Sequence, residues 1–181
     1  MGLFSFLSRG DAAVATEPEV HQEAAVNGGS ASYLVIAPVP GKLRELASVD
    51  DGVFSSGMLG QGVAIEPAGN VCVAPVTGTV MATMESNHAM AFVSAHGVEV
   101  LVHIGIDTVE MQGSGFSRLV EQGEQVQAGQ PVLTFDTAAI EAAGFPATTM
   151  CVVSNSSEYR AVRPLAAGEV GLGDALLQVE G

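Results

Sequence analysis

Two of the four histidines, His88 and His103, bracket an apolar stretch that reads as one β-hairpin. Imidazole takes up and releases an electrophilic group near neutral pH. Two imidazoles side by side divide that work: one attacks, and the other donates a hydrogen bond to the charge that develops. The hairpin runs from Glu85-Ser-Asn-His to Val-Leu-Val-His103, with Ser94-Ala-His-Gly97 read as a four-residue loop ending in glycine. This loop sets Val93 opposite Val98, Ala91 opposite Val100 and Ala89 opposite Val102, one small apolar face suited to a core. The other face pairs Phe92 with Glu99, Met90 with Leu101, and His88 with His103, which places the histidine Cβ atoms about 4.5–5.5 Å apart. Ser86 lies on the same side as His88 and brings a hydroxyl within reach. Beyond His103, Gly105 lets the backbone approach the ring, so a carbonyl there can take a proton from one ring nitrogen and leave the other to attack. Asp107 is either a negative charge turned toward a basic partner or a turn residue. The alternative, two unrelated surface or core histidines, is weakened by the apolar surround of Met90, Phe92 and Leu101. His96, in the loop, and His21, in a polar stretch, are given no role.

The elements needed to hold such a pair are short strands. Candidates are 33–37, 63–66, 71–74, 79–84, 89–94, 98–104, 131–135, 150–154 and 176–179, separated by Gly, Pro and Asn. A short helix is expected over 136–143, with Asp136 as its N-cap and Gly144 ending it. Many short strands at this spacing predict an all-β, mostly antiparallel sandwich, barrel-sandwich-like, with minor short helices. Three parts are expected: a possible amphipathic segment at 1–10 (Leu3, Phe4, Phe6 and Leu7 beside Arg9), a flexible linker at 11–32, and one domain at 33–181.

Composition narrows the function. The 181 residues carry a formal net charge of −14, with Lys42 as the only lysine beside five arginines. A phosphate backbone repels such a surface, which excludes nucleic acid and favours a basic protein partner. Cys72 and Cys151, both in apolar contexts, read as reduced core residues rather than a disulfide framework. With no secretory signal and no apolar run near ~20 residues, the chain is expected in the cytoplasm, touching a membrane at most weakly through 1–10.

The block around the histidines, Glu85-Ser-Asn-His-Ala-Met with Gly97-Val-Glu-Val-Leu-Val-His-Ile-Gly-Ile-Asp-Thr-Val-Glu-Met, resembles the double-histidine signature of glucose-type IIA components of the bacterial sugar phosphotransferase system. The resemblance continues in order from Tyr33 to Val179, through Ile36-Ala-Pro-Val-Pro-Gly-Lys, Asp51-Gly-Val-Phe54, Gly60-Gln-Gly-Val-Ala-Ile-Glu-Pro, Ala74-Pro-Val-Thr-Gly-Thr-Val, Gly113-Ser-Gly-Phe, Val126-Gln-Ala-Gly-Gln and Val152-Val-Ser-Asn. It implies a β-sandwich in which His103 accepts a phosphoryl group from the phosphocarrier protein HPr and passes it to a cysteine of a sugar-specific IIB domain. It further implies that His88 holds the phosphoryl oxygens and that Ser86 stands where the family usually has Thr. Phe54, Met58, Leu59, Met84 and Leu101 would form an apolar docking rim, with Asp51 and Asp107 meeting basic side chains of HPr. Met84 departs from a more usual Phe. Regulated permeases or kinases would dock on the same face. No metal or cofactor is implied, and neither glucose nor N-acetylglucosamine is selected.

Three other readings are weaker. Biotinyl and lipoyl carriers share the Ala-Pro-x-x-Gly-Thr-Val turn but need an acceptor lysine at a hairpin tip, and Lys42 lies elsewhere. Lysostaphin-type zinc endopeptidases need a histidine two residues before His103, where Leu101 stands. A docking-only regulator of the same fold would not need the intact histidine pair.

Overall fold

The computed structural model describes residues 31–181; the segment 1–10 and linker residues 11–30 lie outside the described residues. The strands are β1 (Ser32–Ile36), β2 (Gly41–Glu45), β3 (Gln61–Pro67), β4 (Val71–Val73), β5 (Gly78–Thr83), β6 (Ala89–Ser94) and β7 (Glu99–Ile104). They continue with β8 (Phe116–Arg118), β9 (Gln125–Val126), β10 (Pro131–Phe135), β11 (Thr149–Val153), β12 (Ala161–Pro164), β13 (Glu169–Val170) and β14 (Ala175–Glu180). A single α-helix among the described residues, α1 (Thr137–Ala142), has the expected ends: Asp136 Oδ1 accepts the Ala139 N–H at 3.1 Å, and Gly144 follows at φ +91°. Ser32, expected in the linker, instead opens β1 and pairs with Glu180.

The fold is the expected antiparallel sandwich. An eight-stranded sheet, in the order β13-β2-β3-β11-β7-β6-β5-β9, packs with two three-stranded sheets, β1-β14-β12 and β4-β10-β8. The main core draws on all three, among them Val35, Leu133, Leu177, Phe92, Val100 and Val102. The period-2 rule explains why alternate residues of β7, Val100, Val102 and Ile104, are buried in that core. All nine expected strands form within about two residues of their predicted ends. Strands β2, β8, β9, β12 and β13 escaped prediction because Gly-Lys-Leu-Arg-Glu or Phe-Ser-Arg carries too few apolar residues to show alternation; pairing partners make them strands. Cys72 and Cys151 are free and buried in the main core, and burial pushes both thiols well above their ordinary range.

A second, smaller cluster covers the opposite face of the eight-stranded sheet. There Val49 and Phe54, from the connection after β2, close over Ala64, Ile106, Met150 and Val152, with Leu46, Leu59 and Leu101 packed around them. Covered on both faces, β11 is buried at all five positions.

The β6–β7 hairpin departs from the expected register by one residue. Phe92 pairs with Val100, Met90 with Val102 and Ala89 with His103. Ser94 pairs back to Val98 through its N–H at 2.9 Å, leaving a three-residue loop, Ala95-His96-Gly97, with Gly97 at φ +81°. The Ser94 hydroxyl accepts the N–H groups of His96 (3.3 Å) and Val98 (3.1 Å), which favours the tighter loop. One residue fewer in the loop exchanges the faces of β6. Met90 and Phe92, expected beside the histidines, enter the main core, and Ala89 and Ala91 move to the face of His103 and Leu101. The larger side chains bury more area, and the alanines leave room beside the imidazole.

Candidate functional site

His103 sits on a central strand, between Ala89 of β6 and Met150 of β11, on the face covered by the smaller cluster. Its Nδ1 lies 2.8 Å from the Gly105 carbonyl oxygen. A carbonyl only accepts, so Nδ1 carries the proton and Nε2 keeps its lone pair. The backbone must double back within two residues to make that contact, and Gly105 does so at φ +78°. A Cβ there would come within 2.2 Å of Thr108 Cγ2 and 3.0 Å of the Pro146 carbonyl oxygen, so only glycine fits.

His88 reaches His103 by another route than the one expected. It lies just outside β6, after Asn87, whose φ of +55° breaks the strand, so the alternation of β6 does not set its direction. Its backbone carbonyl accepts the Ile104 N–H at 2.8 Å, and its buried ring meets the His103 ring edge-on, centroids 4.7 Å apart at 79°. Ser86 lies in the preceding turn, not on the strand, yet its Oγ is 2.6 Å from His88 Nδ1. Phe54 closes the other side of His103, ring to ring at 5.2 Å and 61°.

Burial, then the neighbouring His88, lowers the His103 pKa from an ordinary 6.5 to about 4; the Gly105 carbonyl, Asp51 and Asp107 pull the other way more weakly. Burial also lowers His88. Both rings are neutral at pH 7, so His103 is a ready nucleophile.

The remaining expected residues divide. Met58 (77% exposed) and Met84 (45%) present apolar surface to solvent. Leu59 and Leu101 are half-buried in the smaller cluster, and Phe54, expected in the apolar docking rim, is only 4% exposed. Phe54 is a wall of the His103 site, its ring packed against the imidazole within the smaller cluster. Asp51 Oδ1 accepts the N–H groups of Val53 (2.7 Å) and Phe54 (2.9 Å), so this carboxylate shapes the turn that carries Phe54. Asp107 is exposed at φ +57° and opens the 3-10 turn Thr108–Met111. Val53 (44% exposed) and Val109 (55%) belong to the same two segments and were not singled out; large apolar residues inside turn segments were the available signal. No helix among the described residues is long and apolar enough to cross a membrane, and none of them forms a metal-binding group of three or more His, Cys, Asp or Glu.

Residues 33–159 match the sequence profile of the phosphoenolpyruvate-dependent sugar phosphotransferase system, EIIA 1. The chain is 40% identical over 168 residues to the β-glucoside-specific EIIBCA component of Dickeya chrysanthemi, covering 92% of this chain and 27% of that protein. It spans about a quarter of the length of the EIIBCA relatives, 22% of the mannose-specific component of Corynebacterium glutamicum. The glucose-specific EIIA component of Haemophilus influenzae is 39% identical, covering 79% of this chain and 86% of that one. Among solved structures, glucose permease IIA from Mycoplasma capricolum superposes with a TM-score of 0.72 at 32% identity, over 81% of this chain and 95% of that chain. With the sandwich and the histidine pair already placed, these matches establish that the chain belongs to the EIIA family of the phosphoenolpyruvate-dependent sugar phosphotransferase system.

Proposed function

We propose that the protein is a phosphohistidine carrier in which His103 Nε2 takes a phosphoryl group from HPr and yields it to a cysteine of a sugar-specific IIB domain. The observation that carries this reading is the Nδ1–Gly105 hydrogen bond, which leaves Nε2 as the free nucleophile of a neutral ring. In the first step the Nε2–P bond forms as the bond from phosphorus to the donor breaks. In the second, a thiolate attacks phosphorus, the S–P bond forms and the N–P bond breaks, returning the electron pair to Nε2. Phosphorus remains bonded to a nucleophile at each end of its path, so positioning and charge stabilisation carry the catalysis. His88 supplies the stabilisation: the Ser86 hydroxyl donates to its Nδ1, and its Nε2–H donates to the phosphoryl oxygens.

Met58, Met84, Val53 and Val109 form the exposed apolar part of the partner surface, Asp51 and Asp107 its acidic part, and the net charge of −14 draws in a basic partner. The relatives named as fused EIIBCA components support a IIB domain as the acceptor.

The test is to incubate the purified chain with phosphoenolpyruvate, enzyme I and HPr and to weigh it intact. The wild type gains a single acid-labile phosphoryl group, and His103→Ala gains none. An unlabelled wild type, with HPr from a matched source, would overturn the carrier reading and leave a docking-only regulator.

A further inference from the structure

Gly105, whose carbonyl orients His103, is itself held from behind. Its N–H donates to the Thr148 carbonyl at 3.0 Å, and the next N–H, of Ile106, donates to the Pro146 carbonyl at 3.0 Å. Residues 145–148 lie between α1 and β11 and belong to no strand, so no ladder hydrogen bonds fix them. A side-chain contact does. The buried Thr148 hydroxyl donates to the Glu66 carboxylate on β3, at 3.1 Å to Oε1 and 3.2 Å to Oε2. The Arg44 guanidinium on β2 in turn donates to Glu66 Oε1 at 2.8 Å.

We propose that Thr148 and Glu66, steadied by Arg44, are positioning residues for His103: they hold the Gly105 carbonyl where it keeps the proton on Nδ1 and Nε2 free. The chain of contacts is continuous. Arg44 orients Glu66, Glu66 anchors Thr148, the Thr148 carbonyl fixes the Gly105 N–H, and the Gly105 carbonyl fixes His103 Nδ1–H. The peptide plane that carries the Gly105 carbonyl also carries the Ile106 N–H, held by Pro146, and the plane before it carries the Gly105 N–H, held by Thr148. A shift of the 146–148 segment therefore moves both planes and the carbonyl with them. The same arrangement of an outer partner setting a histidine tautomer governs metal-ligating imidazoles; here the outer partner is a backbone carbonyl and the nucleophile is nitrogen. The inference rests on the carrier reading only in making Nε2 the reacting atom; the tautomer itself is measurable without phosphotransfer.

The experiment records long-range 1H–15N spectra of the histidine rings near pH 7 for the full-length wild type, Thr148→Val, Thr148→Ser and Glu66→Leu. In the wild type, His103 shows a single Nδ1–H tautomer. In Thr148→Val and Glu66→Leu its two nitrogen shifts move toward each other as the second tautomer becomes populated, while the His96 signals stay in place. Thr148→Ser, which keeps the hydroxyl, retains the wild-type pattern. Unchanged His103 shifts in both Thr148→Val and Glu66→Leu would overturn the proposal, as would a wild type with the proton on Nε2. Should Thr148→Val fail to fold, Glu66→Leu, altered at a half-exposed carboxylate, decides alone. Loss of labelling by HPr in the wild type would sink the carrier reading and leave this readout intact.

Discussion

The ring of His88 meets the ring of His103 edge-on, centroids 4.7 Å apart, although the two residues do not pair in the β-ladder. Under the proposed carrier role, that contact puts His88 in place to donate to charge developing on a phosphoryl group at His103 Nε2. His88→Gln is therefore expected to be labelled by HPr but to pass the group to a IIB domain about 10²-fold more slowly, as for other lost transition-state donors. Single-turnover transfer from the isolated phosphoprotein measures this; an unchanged transfer rate would remove His88 from the mechanism.

Gly105→Ala tests the left-handed turn behind His103. The added methyl would lie 2.2 Å from Thr108 Cγ2 at a φ of +78°. Left-handed backbone and overpacking together should cost about 3 kcal/mol. The variant should unfold at lower urea and lose the single Nδ1–H tautomer of His103.

The His103 pKa predicts the direction of pH dependence. Between the ordinary 6.5 and about 4 the unfolded chain binds the proton that the folded chain refuses. The full stability from a neutral His103 is therefore present above pH 6.5 and falls as pH drops toward 4, by up to roughly 3 kcal/mol. Urea midpoints at pH 7 and pH 4.5 should differ less in His103→Gln than in the wild type. Ring proton shifts of His103 should titrate near pH 4.

Phe54 and Met58 should separate structure from docking. Phe54→Ala empties a wall of the smaller cluster and is expected to cost about 3 kcal/mol. Met58→Ala, at a side chain 77% exposed, should change stability by less than about 0.5 kcal/mol.

If Met58 and Met84 lie on the proposed partner surface and away from phosphorus, Met58→Asp and Met84→Asp should raise the KM for phosphorylated HPr about tenfold, with kcat nearly unchanged. A fall in kcat at constant KM would place these methionines in the chemistry instead.

Much of this protein is legible in its residues. Alternating Val and Ile between Gly, Pro and Asn dictates short strands, because a period of two buries one face and exposes the other. His88, Ser86, His103 and Gly105 stand out by chemical type and spacing, and the Asp136 cap and Gly144 stop of α1 rest on local hydrogen bonds that need no distant partner. Tertiary structure decided three further matters. A three-residue loop instead of a four-residue one turned Met90 and Phe92 into the core, because the burial of large side chains in the whole sandwich outweighs the count of loop residues. Phe54 became a buried wall beside His103, since only the folded connection shows what its ring lies against. Arg44, Glu66 and Thr148 converge behind Gly105 from three separate stretches of chain, and no spacing along the chain reports an approach made across the sheet.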